Sequence, residues 1–258
     1  MAELPKNTFK SAILNGEVQL GIWTNARDPI VLEMIGDTGF EFVTIDCEHA
    51  PNDLSEVVSS LQALRPTAAQ ATVRVPGLDP VNIKRVLDAG AQTLFVPYVQ
   101  TVEEAELAAA SVAYPPQGIR GVAGITRATG FGTYDDYMAK ARDEICLIVQ
   151  IETQQGLDNL EGIAAVEGID AIFIGPADLS ASIGYPGNMT AEPVKAAIRD
   201  AIERVTAAGK PAGFLALNQE LLELARAAGA KFIVPAIDMA LLQQGAKANV
   251  AANQYLKD

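Results

Sequence analysis

The chain has 258 residues, 49% of them hydrophobic and only 20% charged, which is enough apolar material for one large core and too much for extensive disorder. Asp and Glu number 32 against 19 Lys and Arg, and the resulting net charge of −13 argues against a nucleic-acid partner. The opening residues lack the apolar core of a secretory signal and no run is long enough to span a bilayer, so a cytoplasmic protein with no membrane partner is expected.

In chain order, short β-branched or aromatic runs alternate with stretches whose apolar residues recur at helical spacing. The pattern predicts a strand over 20–24, a helix over 29–38, a strand over 42–46 and a helix over 54–64 opened by Asp53. Then come strand 71–75, helix 80–89, strand 93–99 and helix 102–112. Residues 114–137 break the period: Pro115-Pro116, five glycines and two arginines make a connection too long to be ordinary, and it reads as a functional loop. Strand 146–152, helix 156–166, strand 171–175, helix 193–208, strand 212–217, helix 220–228 and strand 232–238 resume the alternation. Gly39, Gly90, Gly209 and Gly229 stop helices, and a last helical stretch over 239–256 packs on the body or on a neighbouring subunit.

Most of these strands are continuous apolar runs, as strands covered on both faces should be. Eight strand–helix units in this length predict a closed (β/α)₈ TIM barrel, one domain over 1–258. No Gly-x-Gly-x-x-Gly follows the first strand and no P-loop occurs, so dinucleotide and nucleotide cofactors lose their usual support. Cys47 and Cys146 are too few and too far apart for a disulfide framework or a metal motif, and they read as packed thiols.

In such a barrel the reacting groups gather at the C-terminal ends of the strands. The polar or aromatic residues there are Trp23, Asp46, Glu48, His49, Arg74, Gln150, Glu152 and Asp178. Charges in a barrel mouth need partners, and a cation is the simplest one. Gln150 and Glu152 share one face of a strand, and Asp178 follows one strand–helix–strand unit later. With one histidine and no clustered cysteine, a metal between these carboxylates would be oxygen-ligated, hence Mg²⁺ or Mn²⁺. Glu152 as a helix cap and Asp178 as a turn residue fit the spacing equally well. His49, the only histidine, follows Asp46 by three residues, close enough for the carboxylate to orient a general base or simply to hold a loop histidine. Arg74 interrupts a buried strand, either to bind a carboxylate or enolate or to form a core ion pair with Asp46 or Glu48. Trp23 lines the same mouth or belongs to the core. Lys84, Lys140, Lys195, Lys210 and Lys247 fall in or beside helices and Lys231 precedes its strand, which disfavours a Schiff-base lysine.

Four separated segments carry a resemblance: Asp46-Cys47-Glu48-His49-Ala50-Pro51-Asn52, Tyr114-Pro115-Pro116-Gln117-Gly118-Ile119-Arg120-Gly121, Val149-Gln150-Ile151-Glu152-Thr153 and Phe173-Ile174-Gly175-Pro176-Ala177-Asp178-Leu179-Ser180. Together, and in order from about residue 9 to 242, the chain resembles the HpcH/HpaI aldolase family. The resemblance implies a metal-dependent, pyruvate-type class II aldolase on a (β/α)₈ barrel. It also implies a homo-oligomer, commonly a hexamer built as a trimer of dimers, with the C-terminal helix exchanged between subunits.

Carried over by position, Glu152 and Asp178 would bind the divalent ion, with Co²⁺ a third candidate, and neither NAD nor pyridoxal phosphate would be needed. Gln150, with the backbone at Ala177 and Asp178, would hold the pyruvate portion, and Trp23, from its own place at a strand end, is the further substrate-binding candidate. His49 would accept the proton through a bound water, oriented by Asp46, and Arg74 would stabilise the enolate. Asp88, on the helix after Arg74, would raise the basicity of the histidine across a subunit boundary. The segment 234–238 departs from the family pattern and bears on the aldehyde accepted. The expected reaction is reversible cleavage of a 4-hydroxy-2-oxo acid to pyruvate, or hydroxypyruvate, and an aldehyde. The alternatives are a lyase for CoA-linked hydroxyacids of the citrate-lyase-like type, and a non-catalytic metal-binding barrel.

Overall fold

The computed structural model describes residues 2–257. Its first half runs α1 (Thr8–Leu14), β1 (Gln19–Thr24), α2 (Pro29–Gly36), β2 (Phe42–Asp46), α3 (Leu54–Leu64), β3 (Gln70–Arg74), α4 (Pro80–Asp88), β4 (Thr93–Val96) and α5 (Val102–Val112). The second half runs α6 (Tyr137–Glu144), β5 (Cys146–Ile151), α7 (Gln154–Asp158), α8 (Leu160–Ala165), β6 (Ala171–Ile174), α9 (Pro176–Ser182) and α10 (Glu192–Ala207). It continues with β7 (Ala212–Leu215), α11 (Gln219–Ala228), β8 (Phe232–Ile237) and α12 (Asp238–Ala252), and ends in a 3₁₀ turn over Gln254–Lys257. The eight strands close in sequence order, each parallel to the next, and β8 returns to β1. The expected TIM barrel is the observed fold.

Every predicted strand forms, with ends shifted by at most a few residues. β4 stops at Val96 because Pro97 offers no N–H and Tyr98 turns to φ 60. The helix predicted over 156–166 is two short helices meeting at Asn159, whose amide donates to the Gln100 carbonyl (2.8 Å). Three helices lie outside the sequence prediction: α1, α6 and α9. The first is capped by Asn7, whose side chain accepts from Lys10 N–H (2.9 Å), and it buries Phe9 and Ile13.

Those two side chains plug the N-terminal end of the barrel. There Phe9 packs on Phe42 and Phe232 (ring centroids 4.9 and 5.7 Å apart), and higher in the bore, under Trp23, Phe95 meets Phe173 edge-on (5.4 Å). Glycines make the room: a Cβ on Gly21 would collide with the Phe42 ring and one on Gly213 with the Phe232 ring. Both cysteines are free, with Cys146 fully buried and burial pushing the Cys47 thiol up to about 12.

The β1–β8 seam, where the register shifts between Leu20 and Ile22, is latched at its C-terminal end by Asp238. Its carboxylate accepts from Thr24 Oγ1 (2.6 Å) and from the N–H groups of Asn25 (3.0 Å) and Ala26 (2.9 Å). Among the described residues no helix is long and apolar enough to cross a membrane.

Candidate active site

The C-terminal mouth is built around Arg74. The β2–β3 register pairs Asp46 directly with Arg74, so the carboxylate takes the guanidinium in a bidentate grip, Nε–Oδ1 2.8 Å and Nη2–Oδ2 2.7 Å. The third nitrogen, Nη1, lies 2.8 Å from Glu48 Oε2. The guanidinium also sits over the Trp23 ring at 4.9 Å, and Trp23 in turn meets Phe95 edge-on. Trp23 is therefore both the top of the core and the floor of the mouth, and its indole N–H has no partner. Arg74 pairs with both carboxylates named for a core ion pair, in the mouth itself.

Asp46 is buried, which works against its charge, but the Arg74 hydrogen bonds and charge, with the N–H groups of Glu48 and His49, hold its pKa below the usual range. It therefore reaches His49 only through the backbone. The expectation that Asp46 orients the imidazole is corrected by this register: Glu48 is the carboxylate facing the ring, with Oε2 3.7 Å from His49 Nε2. Burial raises the pKa of Glu48, partly offset by Arg74 and His49. The His49 side chain itself is 63% exposed and open to a ligand.

Across the mouth, Glu152 is almost fully buried just beyond β5. Its Oε1 accepts the Tyr98 N–H (2.8 Å) and its Oε2 the Gln150 amide (3.3 Å), while Gln150 Oε1 is buried with no donor. Burial pushes the Glu152 carboxyl up to about 7; the Tyr98 N–H opposes this, and the charges of Glu48 and Asp178 add to it. Gly175 leaves the carboxylate its space, since a Cβ there would collide with Oε2. Ala177 and the acidic Asp178 are exposed in the first turn of α9, which Pro176 starts. Tyr98 is the participant sequence reasoning missed: a left-handed tyrosine that aims its N–H at Glu152 leaves no mark beyond the preceding proline.

Asp88 stands elsewhere. It ends α4 at the opposite, N-terminal end of the barrel, and its Oδ1 accepts from Arg120 Nη2 (2.7 Å). Arg120, part of the 114–137 loop, is fully buried, with its guanidinium 4.5 Å over the Tyr114 ring. Within one chain Asp88 and His49 are on different ends of the molecule. Among the described residues no three or more His, Cys, Asp or Glu side chains converge as a ready metal cluster, so any ion here would rest on the two carboxylates and outside oxygens.

Known proteins bear directly on this site. The chain is 46% identical over 249 residues to a hydroxypyruvate/pyruvate aldolase of Sagittula stellata, covering 96% of this chain and 98% of that one. It is 49% identical over 210 residues to the 5-keto-4-deoxy-D-glucarate aldolase of Escherichia coli K12, 81% of this chain and 82% of that one. The crystal structure of an HpcH/HpaI aldolase/citrate lyase family protein from Burkholderia cenocepacia superposes with a TM-score of 0.92 at 34% identity, over 98% of this chain and all of that one. The family model described as HpcH/HpaI aldolase/citrate lyase matches residues 19–244, from the first strand into the last helix, and the chain belongs to that family.

Proposed function

We propose that the chain is a single aldolase domain catalysing reversible cleavage of a 4-hydroxy-2-oxo acid to pyruvate, or hydroxypyruvate, and an aldehyde. One observation carries the reading: Asp46, Glu48, Glu152 and Asp178 gather at a mouth around the Arg74 guanidinium, and the Glu152 carboxyl, which that guanidinium does not pair with, is driven to about 7 by burial. The aldolase names of the Sagittula and Escherichia relatives support it.

An oxygen-ligated divalent cation fits this donor set. Glu152 is a buried carboxyl with no cation touching it, Gly175 leaves it room, and the neighbouring Gln150 Oε1 is an orphaned acceptor. Glu152 and Asp178 would hold the ion, with Mg²⁺, Mn²⁺ or Co²⁺ as candidates. When bound it supplies Lewis-acid polarisation of the ketone and carboxylate oxygens of the 2-oxo acid.

The remaining steps belong to the chain. Gln150 and the backbone at Ala177 and Asp178 hold the keto acid, and Trp23 floors its site. Arg74, fixed by Asp46 and Glu48, offers positive charge to the developing enolate. In cleavage His49 accepts the 4-hydroxyl proton, the C3–C4 bond breaks with its electron pair passing into the enolate, and the aldehyde leaves. A proton returned to C3 then gives pyruvate. Asp88 would reach a histidine only from a neighbouring copy, in a homo-oligomer, a hexamer built as a trimer of dimers. An exchanged C-terminal helix suits α12, whose Leu242 and Val250 side chains lie exposed. A cytoplasmic location completes the proposal, and two free thiols suit a reducing compartment.

The test is turnover with Mn²⁺, pyruvate and a short aldehyde. Asp178→Ala should reduce it by ~10³-fold or more, and His49→Ala should slow exchange of the pyruvate methyl protons. Full activity after chelation, or cleavage of CoA thioesters in place of oxo acids, would refute the reading.

A further inference from the structure

The last strand changes phase just before the mouth. Along β8, Phe232 and Val234 face into the bore with Phe9, Phe42 and Trp23, so plain alternation would send Ala236 inward, Ile237 outward and Asp238 inward. The reverse is seen. Leu20 pairs with Ile233 but Ile22 with Ala236, which sets two steps of β1 against three of β8, and the extra residue falls within Val234–Pro235. This is a β-bulge, a place where a strand tolerates proline because the ladder is already interrupted. Beyond it Ala236 joins the packing between barrel and helices, whereas Ile237 packs with the aromatic bore and has Trp23 as its register partner.

The slip has two consequences at the mouth. Asp238 is turned out of the bore onto Thr24 and the turn after it, and the hydrogen bonds it accepts there lock the ends of β1 and β8 in the shifted register. Ile237 is thereby held inward, and it is half-buried, so part of its side chain faces the open mouth. Leu215, at the end of β7, is half-buried against the same group. The mouth is thus divided by strand. The charged and amide groups assigned to the keto acid come from β2, β3, the end of β5 and the start of α9, whereas β1, β8 and β7 close the other side with Trp23, Ile237 and Leu215. A ligand hydroxyl brought against Ile237 would give up its water and find no partner on that side chain.

We propose that Ile237 is a specificity-determining residue: held inward by the bulge, it gives the incoming aldehyde an apolar wall and selects aldehydes whose chain carries no hydroxyl beside the carbonyl. This rests on the aldolase reading above and names the acceptor class which that reading leaves open. Propanal and glycolaldehyde are nearly isosteric, a methyl in one standing where the other has a hydroxyl, so the ratio of their kcat/KM values with Mn²⁺ and saturating pyruvate reads the polarity of the wall. The parent should favour propanal by about tenfold, the order expected when one hydroxyl is buried unpaired. Ile237→Val should keep most of that preference. Ile237→Thr, the shape of valine with a hydroxyl in place of one methyl, should bring the ratio close to one. Exchange of the pyruvate methyl protons with no aldehyde present, and the KM for pyruvate, should not differ between the Val and Thr variants, which a general loosening of the mouth would not allow. A parent ratio at or below one, or a Thr variant that keeps the ratio of the Val variant, overturns the proposal while the turnover itself upholds the aldolase reading. A parent that neither exchanges methyl protons nor joins either aldehyde to pyruvate refutes both.

Discussion

The two ends of the barrel interior solve opposite problems. From the N-terminal end, where Phe9, Phe42 and Phe232 meet, up to Phe95 and Phe173 under Trp23, aromatic rings fill the bore, and Gly21 and Gly213 surrender their Cβ positions to make space. At the C-terminal end the same strands deliver Asp46, Arg74, Gln150 and, just past β5, Glu152. The lower end is stabilised by contacts that hold at any pH. The upper end keeps a carboxyl out of water without a cation of its own. Packing is thus concentrated away from the mouth, and the mouth carries a buried carboxyl that the proposed ion would partner.

The largest expected consequence is a pH dependence that belongs to the mouth alone. The Glu152 carboxyl lies at about 7 in the folded chain against an ordinary 4.5. The folded state therefore holds a proton that the unfolded state has lost, so in the metal-free protein the Glu152 contribution is free of penalty below 4.5, becomes destabilising as pH rises, and reaches its full penalty above about 7. That gap corresponds to about 3 kcal/mol. Urea unfolding in chelator should show the decline between pH 5 and 8. Glu152→Gln should flatten it, and Mn²⁺ should restore stability at pH 8 far more than at pH 5. A flat curve for the parent would mean that the two ends are not electrostatically different.

A smaller effect is expected at the other end. Gly213→Ala drives a methyl into the Phe232 ring, and since the neighbouring aromatics leave little room to yield, it should cost about 2 kcal/mol at every pH. Thermal unfolding at pH 5 and pH 8 separates this from the mouth: a pH-independent loss is the expected result. Metal-dependent activity measured well below the melting transition should be retained, because the packed end touches no reacting group.

The difference between the ends also explains what could be read from the sequence. Each strand is a local apolar run stopped by glycine or proline, so the barrel was legible, and α3 and α5 form over the predicted ranges because their capping residues, Asp53 and Thr101, are local signals. The Asn7 cap with Phe9 and Ile13 at helical spacing was equally local, and α1 was missed only because it precedes the first strand. The mouth was half legible. Which residues gather there follows from strand ends, but which carboxylate takes which cation follows from register. Asp46 and His49 are close in sequence, whereas Asp46 and Arg74 are opposite one another across β2 and β3, and the guanidinium wins the carboxylate. The backbone of Tyr98 and the placement of Asp88 at the far end depend on chain paths that no spacing encodes.

The smallest expected effect probes that register most closely. Glu48 lies between Arg74 and His49, and its charge is one of those that lift the Glu152 carboxyl. Glu48→Gln removes the charge and keeps the shape, so the pH midpoint of the metal-free stability decline should fall, by about half a unit for one like charge across a partly solvated mouth. Asp46→Asn differs in kind: it breaks the bidentate grip and leaves the Arg74 guanidinium with Glu48 alone, so its cost should be seen as lost stability at neutral pH. A Glu48→Gln midpoint that stays put would show that Glu48 and Glu152 do not share one field. The mouth would then be two separate ion-pair systems, with burial alone responsible for the state of Glu152.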